Sequence, residues 1–413
     1  MCLLATVCRV YRSWILRLAL GVLLAVAFGH VASSKLAGAE NQVASLHHKI
    51  VGQGIDYLRS QGQSPNGAYS AGSGPGVTAL VTTAMLQNNV DPKDPLVQRS
   101  LDYLKTFIHK DGGIYAKESK YRNYETSLAV MCFAEANRSY PGTYDTIIKN
   151  AGQFIKGLQY DDGEGHDRTS TFYGGAGYGK HKRPDLSNTG IMIDALVAAG
   201  ASPDDEAIQK AIMFVSRCQN LETEHNDTKW SVKNPDGGFY YTGAAGGSSQ
   251  AKWDSSESEE TQGLRSYGSM TYMGLKSLIY AGLTADDPRV RAATEWIRKN
   301  YGLDVNPGLG KQGLYYYYHT FAKALDALNV DTFLDASGNQ HDWRRELTEK
   351  LASEQQANGS WINSQSRWLE ADPNLVTGYA LLALSYCKPK SEKAGSQKAG
   401  SQKAGPPKKE SAR

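Results

Sequence analysis

Asp185 and Arg183 stand two residues apart at the head of an uncharged stretch. A carboxylate so placed can serve as acid, base or anchor. The arginine would favour the ionised form, and so the base or anchor. Asp185, or Ser187 beside it, would equally cap a helix starting there. Asp372-Pro373 has the same two readings. Glu125 can move a proton or pair with Arg122. His319 is the one histidine inside an uncharged helical stretch. It suits a proton shuttle near neutral pH, or a hydrogen-bonded core residue. Tyr315–Tyr318 precede it, and their faces would stabilise a cation or stack on a sugar. Helical geometry turns at least two of these four into packing. Arg122, Arg183 and Arg265 recur just ahead of three consecutive uncharged stretches. That pattern suits a diphosphate or carboxylate site, and equally a salt-bridged rim. Tyr124, Ser187, Asn188, Tyr267, Tyr272 and Tyr317 complete the expected binding set.

These residues need elements to hold them, and the sequence repeats. Glycine followed two residues later by an aromatic recurs at Gly67, Gly113, Gly238, Gly313 and Gly359, with Gly175 as a variant third unit. Before each lies an amphipathic stretch: 46–59, 94–107, 143–157, 204–217, 286–299 and 342–354. After each lies a nearly uncharged one: 76–87, 126–134, 186–199, 266–282, 314–322 and 375–386. The second set holds 2 Asp, Glu, Lys or Arg in 73 residues and the first 29 in 84, so the second is surrounded by protein and the first faces water. Six inner and six outer helices in alternation close into an all-α (α/α)6 barrel, a toroid over 40–387. The long fourth loop, Tyr241 to Gly263, is expected to be mobile and to cover one mouth.

The ends differ from the middle. Arg9, Arg12 and Arg17 precede the apolar run Leu18 to Phe28, and Ala37-Gly38-Ala39 fits a cleavage site. Residues 1–39 are therefore expected to be a signal peptide, or an uncleaved anchor, placing the protein in the periplasm or outside the cell. Residues 388–413 repeat Lys-Ala-Gly-Ser-Gln and are too poor in apolar side chains to order. The net charge of +3 divides into +4 on 1–39, −7 on 40–387 and +6 on 388–413. An acidic core argues against a nucleic-acid partner, and contact with a polyanionic surface would belong to the tail. Cys132, Cys218 and Cys387 are an odd set on helical stretches, read as buried thiols.

Gln355-x3-Gly359-x-Trp361 is an unbroken Q-x3-G-x-W motif, with Gln63-x3-Gly67-x-Tyr69 near to it and Asn234-x3-Gly238-x-Tyr240 a degenerate form. Asp111-Gly-Gly and Asp236-Gly-Gly look like the repeats of protein prenyltransferase β subunits. The core resembles the terpenoid cyclase and protein prenyltransferase α/α toroids. The resemblance implies a central cavity for an isoprenoid. It does not extend to the family's chemistry. Asp161-Asp162, Asp204-Asp205 and Asp286-Asp287 each lack the upstream aspartate of the D-x-D-D acid. No cysteine here has aspartate two residues before it, as the zinc site requires. Neither metal nor cofactor is expected, and a monomer is.

Three functions fit. One is an exported enzyme acting on an isoprenoid or other small apolar ligand, of cyclase or prenyltransferase type. Another is a non-catalytic toroid binding lipid, peptide or protein. The third is a polysaccharide-acting enzyme. A deep aromatic cavity favours the isoprenoid, and an open polar groove with paired carboxylates favours the glycan.

Overall fold

The computed structural model describes Gly38 and residues 40–179, 183–253 and 258–388. The expected leader and basic tail lie almost wholly outside the described residues. All six amphipathic stretches and all six uncharged ones are helices. The outer set is α1 (40–57), α3 (Pro95–Lys105), α5 (Asp145–Lys156), α7 (Glu206–Ser216), α10 (Pro288–Lys299) and α12 (Trp343–Glu354). The inner set is α2 (Pro75–Gln87), α4 (Arg122–Ser139), α6 (Leu186–Ala198), α9 (Gly268–Tyr280), α11 (Leu314–Ala327) and α13 (Pro373–Ser385). A single turn, α8 (Glu259–Gln262), lies in the fourth loop. One two-residue hairpin, Phe333–Leu334 with Gln340–His341, precedes α12. The starts follow the capping signals, with Asp94, Asp205, Asp287 and Asp342 each accepting a first-turn N–H.

The inner helices form a closed ring. α2 packs on α4, α4 on α6, α6 on α9, α9 on α11, α11 on α13, and α13 on α2. Outer and inner helices join through a repeated clasp. Gly67 has φ +89°, and an added Cβ would lie 2.2 Å from the carbonyl oxygen of Arg99. Only glycine allows that approach and that φ together. Gln63 Nε2 then donates to the carbonyls of Gly67 and Leu96, joining loop to α3. The same clasp recurs as Gln159 on Gly174 and Ala207, Gln219 on Gly237 and Arg289, and Gln355 on Gly359 and Ile50. Threonines in the first turns of five inner helices complete it. Thr78, Thr126, Thr189, Thr271 and Thr377 accept the N–H of Tyr69, Ile114, Ala176, Phe239 and Trp361.

This geometry corrects the sequence register. The backbone-facing glycines of units two to four are Gly112, Gly174 and Gly237, one before those expected. The clasping residue of unit four is Gln219, far upstream of Asn234. Unit five keeps neither glutamine, glycine nor threonine in these roles. Its helix α11 has Gly313 at the cap with no capping side chain, and Glu370 Oε1 accepts the N–H groups of Tyr315 and Tyr316 instead. Unit six thus supplies from a distance what unit five lacks.

The last unit closes on the first helix. Gln355 reaches Ile50, His47 Nε2 bonds the Leu384 carbonyl at 2.9 Å, and the added Cβ of Gly359 would lie 2.3 Å from Gln53 O. No helix among the described residues is long and apolar enough to cross a membrane.

Candidate functional site

The first turns of all six inner helices converge on a cavity of about 700 Å³ at one end of the ring. Four contribute an apolar group close to their start: Val77 from α2, Ile191 from α6, Met270 from α9 and Leu375 from α13. Tyrosines dominate the rest of the wall. Tyr124 comes from α4, Tyr316 from α11 and Tyr379 from α13, and Tyr121, Tyr178, Tyr241 and Tyr267 come from the loops before or between inner helices. Their hydroxyls are partly paired, with Tyr316 to Ser187 at 3.0 Å and Tyr124 to Tyr379 at 3.5 Å. Trp368 and Leu369 form part of the rim, in left-handed backbone at φ 58° and 65°. Lys117 and Lys120 stand at the mouth.

Three carboxylates line this cavity: the exposed Glu118 and the buried Glu125 and Glu370. Glu125 Oε2 accepts the N–H of Ala116 at 3.0 Å. Its Oε1 lies against bare backbone, 2.7 Å from where a Cβ on Gly74 would sit. Burial raises the Glu125 pKa against that backbone bond. Glu370 is also raised by burial, but both its oxygens are engaged, by the start of α11 and by Asn363.

A second, smaller cavity of about 410 Å³ shares Tyr178, Tyr241 and Gln250 with the first. Arg183 and Asp185 are its other lining residues among those described. Asp185 caps α6, its oxygens accepting from Asn188 N at 2.9 Å and Asn188 Nδ2 at 2.8 Å. Burial pushes its pKa up to about 6, although the Asn188 and Tyr241 hydrogen bonds and the Arg183 charge oppose the rise. Arg183 donates to Ser248 at 3.0 Å. The strand-like segment 241–242 is stitched beside 184–186, through Leu186 N to Tyr241 O and Thr242 Oγ1 to Pro184 O, both 2.8 Å. This holds Tyr241 over the carboxylate. The fourth loop, expected to cover one mouth, forms wall through Tyr241 and Gln250; residues 254–257 of it lie outside the described residues.

Several expected site residues fall elsewhere. The three arginines do not converge. Arg122 lies over the Tyr115 ring and donates to Ser119 O, not to Glu125, and Arg265 lies over Trp253 and donates to Lys252 O. Asp372 caps α13 and lines neither cavity. Tyr272 packs on Tyr317 and Phe321, and the Tyr317 hydroxyl donates outward to Gly302 O, so both are core. Asn188 serves Asp185 and does not line the main cavity. His319 stacks on Tyr379 and Tyr386 deeper in the ring. Burial first, and Lys323 next, push its pKa down to about 3, which keeps it neutral and unfit to shuttle protons near pH 7. Tyr124, Ser187 and Tyr267 line the main cavity as expected, and Glu125 is the one expected acid–base residue there. The residues missed were Tyr178, Tyr241, Tyr379, Trp368, Gln250 and Glu370; Tyr316 was visible only as one of four neighbours.

Among the described residues, no three His, Cys, Asp or Glu side chains come together to hold a metal ion. The three described cysteines are free and buried.

Residues 67–242 match the family model of the squalene-hopene cyclase C-terminal domain. No curated protein matches the sequence. Among solved structures, the type II terpene cyclase MstE from Scytonema is similar at 12% identity, over 84% of this chain and 99% of that one, with a TM-score of 0.47. A variant of it bound to geranylgeranyl dihydroxybenzoate gives 13%, 84%, 99% and 0.48. A polysaccharide lyase is similar at 12% identity, over 86% of this chain and 98% of that one, with a TM-score of 0.49. These distant likenesses say nothing of what this chain acts on. Its closed double ring, clasped unit to unit by glutamine and glycine, is thus matched by a cyclase domain model over residues 67–242, less than half of the chain.

Proposed function

We propose that the toroid takes an isoprenoid-like apolar chain into its main cavity, outside the cytoplasm, and acts on it with Glu125 as the proton-handling group. The observation that carries this reading is the tyrosine wall: seven rings around about 700 Å³. That volume is within the roughly 300–1,000 Å³ of small-molecule sites. Tyrosine presents apolar area with little conformational entropy, and its face attracts positive charge. A branched, unsaturated chain would be held by such rings, and any cationic character developed along it would be lowered in energy there.

Glu125 supports the acid role because burial favours its protonated form and one oxygen is not held by the backbone. The missing D-x-D-D aspartates argue against protonation of a bare alkene, which demands a stronger acid. A ligand oxygen is the better proton acceptor. The test is binding and turnover of geranylgeraniol by the full chain. Native protein should bind it at about micromolar Kd. Tyr316→Ala should weaken binding by about tenfold or more. Glu125→Gln should retain binding and abolish any product seen by mass spectrometry. No binding by native protein would sink the reading. Binding without product in native protein would leave a carrier rather than an enzyme.

A further inference from the structure

The smaller cavity has polar groups of its own. Among the described residues, Arg183 and Asp185 put one cation and one carboxylate on its wall, beside the Gln250 amide and two tyrosine rings. From this we infer that it receives a neutral, hydroxyl-rich head group, so that the ligand is an amphiphile: a sugar or polyol carried on an apolar chain. The inference rests on the reading of the main cavity as an apolar-chain site.

Charge decides the class. An anionic head would meet Asp185, and a cationic one would meet Arg183. The N-terminus of α6, which borders this cavity and might otherwise draw an anion, is already served by Asp185. A hydroxyl group satisfies both partners, because it donates and accepts at once. The wall groups retain capacity for it. Each Asp185 oxygen accepts one hydrogen bond from Asn188 and the carboxylate accepts a third from the Tyr241 hydroxyl, short of the roughly four that a carboxylate can take. One Arg183 nitrogen is bonded, to Ser248. Gln250 Oε1 accepts from Arg367, which leaves its N–H groups to donate. The Tyr178 and Tyr241 rings offer the flat surface on which the C–H face of a sugar packs.

Continuity sets the arrangement of the ligand. Tyr178, Tyr241 and Gln250 border both cavities. A head in the smaller cavity can therefore continue directly into a chain in the larger one. The backbone stitch from Tyr241 to Leu186 fixes that junction.

The test compares three probes with one chain: farnesol, farnesoic acid and farnesyl β-glucoside, titrated calorimetrically into the full chain. The glucoside should bind about tenfold or more tightly than farnesol, as hydrogen bonds to two charged groups imply. Arg183→Leu should remove at least about that factor from the glucoside and much less from farnesol. Gln250→Ala, which leaves the charges in place, should show the same selective loss, and guards against a misfolded Arg183 variant. Farnesoic acid binding tighter than the glucoside would overturn the inference, as would equal binding of farnesol and glucoside. In both cases the apolar-chain reading would survive. Failure of all three to bind would overturn both.

Discussion

Lys276 reaches across from α9 to Asp194 on α6, with Nζ 2.6 Å from Oδ1, and both side chains are all but inaccessible to water. Lys323 from α11 takes the other oxygen at 2.8 Å. One carboxylate thus joins three inner helices near the end of the ring opposite the cavity. Of the two lysines, Lys276 gives up its proton more easily. Burial, opposed by Asp194 and aided by the Lys323 charge, pushes it down to about 8.

The cluster predicts unequal losses. Asp194→Asn leaves two buried ammonium groups facing each other, and unfolding in urea should show a loss of roughly 3–5 kcal/mol. Lys276→Met should cost clearly less, because the Asp194–Lys323 pair remains. The sign of the pH effect follows. Between about 8 and the ordinary lysine value of 10.5 the unfolded chain holds the Lys276 proton more firmly than the folded one. Its contribution to stability therefore rises with pH in that window, and Lys276→Met should remove that rise.

Asp185 gives the opposite slope at lower pH. Its folded pKa of about 6 exceeds the ordinary 3.8, so the stability it contributes is full below 3.8 and lost as pH rises through 6. Asp185→Asn keeps a capping oxygen and has no such loss. Denaturation at pH 4 and pH 7 should show the variant gaining on native protein by roughly 2 kcal/mol over that interval. An unchanged difference would mean that Asp185 is solvated in the folded state.

The clasp predicts which glycines are replaceable. Gly67→Ala adds a methyl 2.2 Å from Arg99 O at φ +89°, and should cost more than about 3 kcal/mol in thermal or urea unfolding. Gly302→Ala meets nothing within 4 Å and should change stability by less than about 0.5 kcal/mol.

The dispersed arginines predict a negative result. Arg122→Gln and Arg265→Gln should leave prenyl-alcohol binding within about twofold of native, because their guanidiniums lie over Tyr115 and Trp253 outside the cavities. A large loss in either would place a ligand at the mouth beyond the tyrosine wall.

The rings of helices were legible because charge separates them: a striped helix and an uncharged one cannot exchange places. The glycine–glutamine clasp was legible where the spacing was intact, at Gln63 and Gln355. It was hidden at Gln159 and Gln219, where inserted residues separate glutamine from glycine while the fold keeps both in place. The site was less legible for a related reason. An inner helix is apolar on every side, so periodicity does not say which face meets the lumen. Tyr316 lines the cavity, while Tyr317 next to it and Tyr272 on α9 pack into the wall. Tyr178 and Tyr241 sit in the loops of neighbouring units, and their meeting depends on the packing of one unit on the next, which no local pattern encodes. Asp185 was found because capping and chemistry draw on the same residue type at the same place.

The joint between Gln355 and Ile50 spans 305 residues of sequence. During synthesis the first helix leaves the ribosome with its eventual neighbour unmade, and its apolar face must wait through nearly the whole toroid. Every other clasp closes within its own or the next unit. The final docking of α12 and α13 on α1 is then the late, slow event that turns an open helical array into a ring.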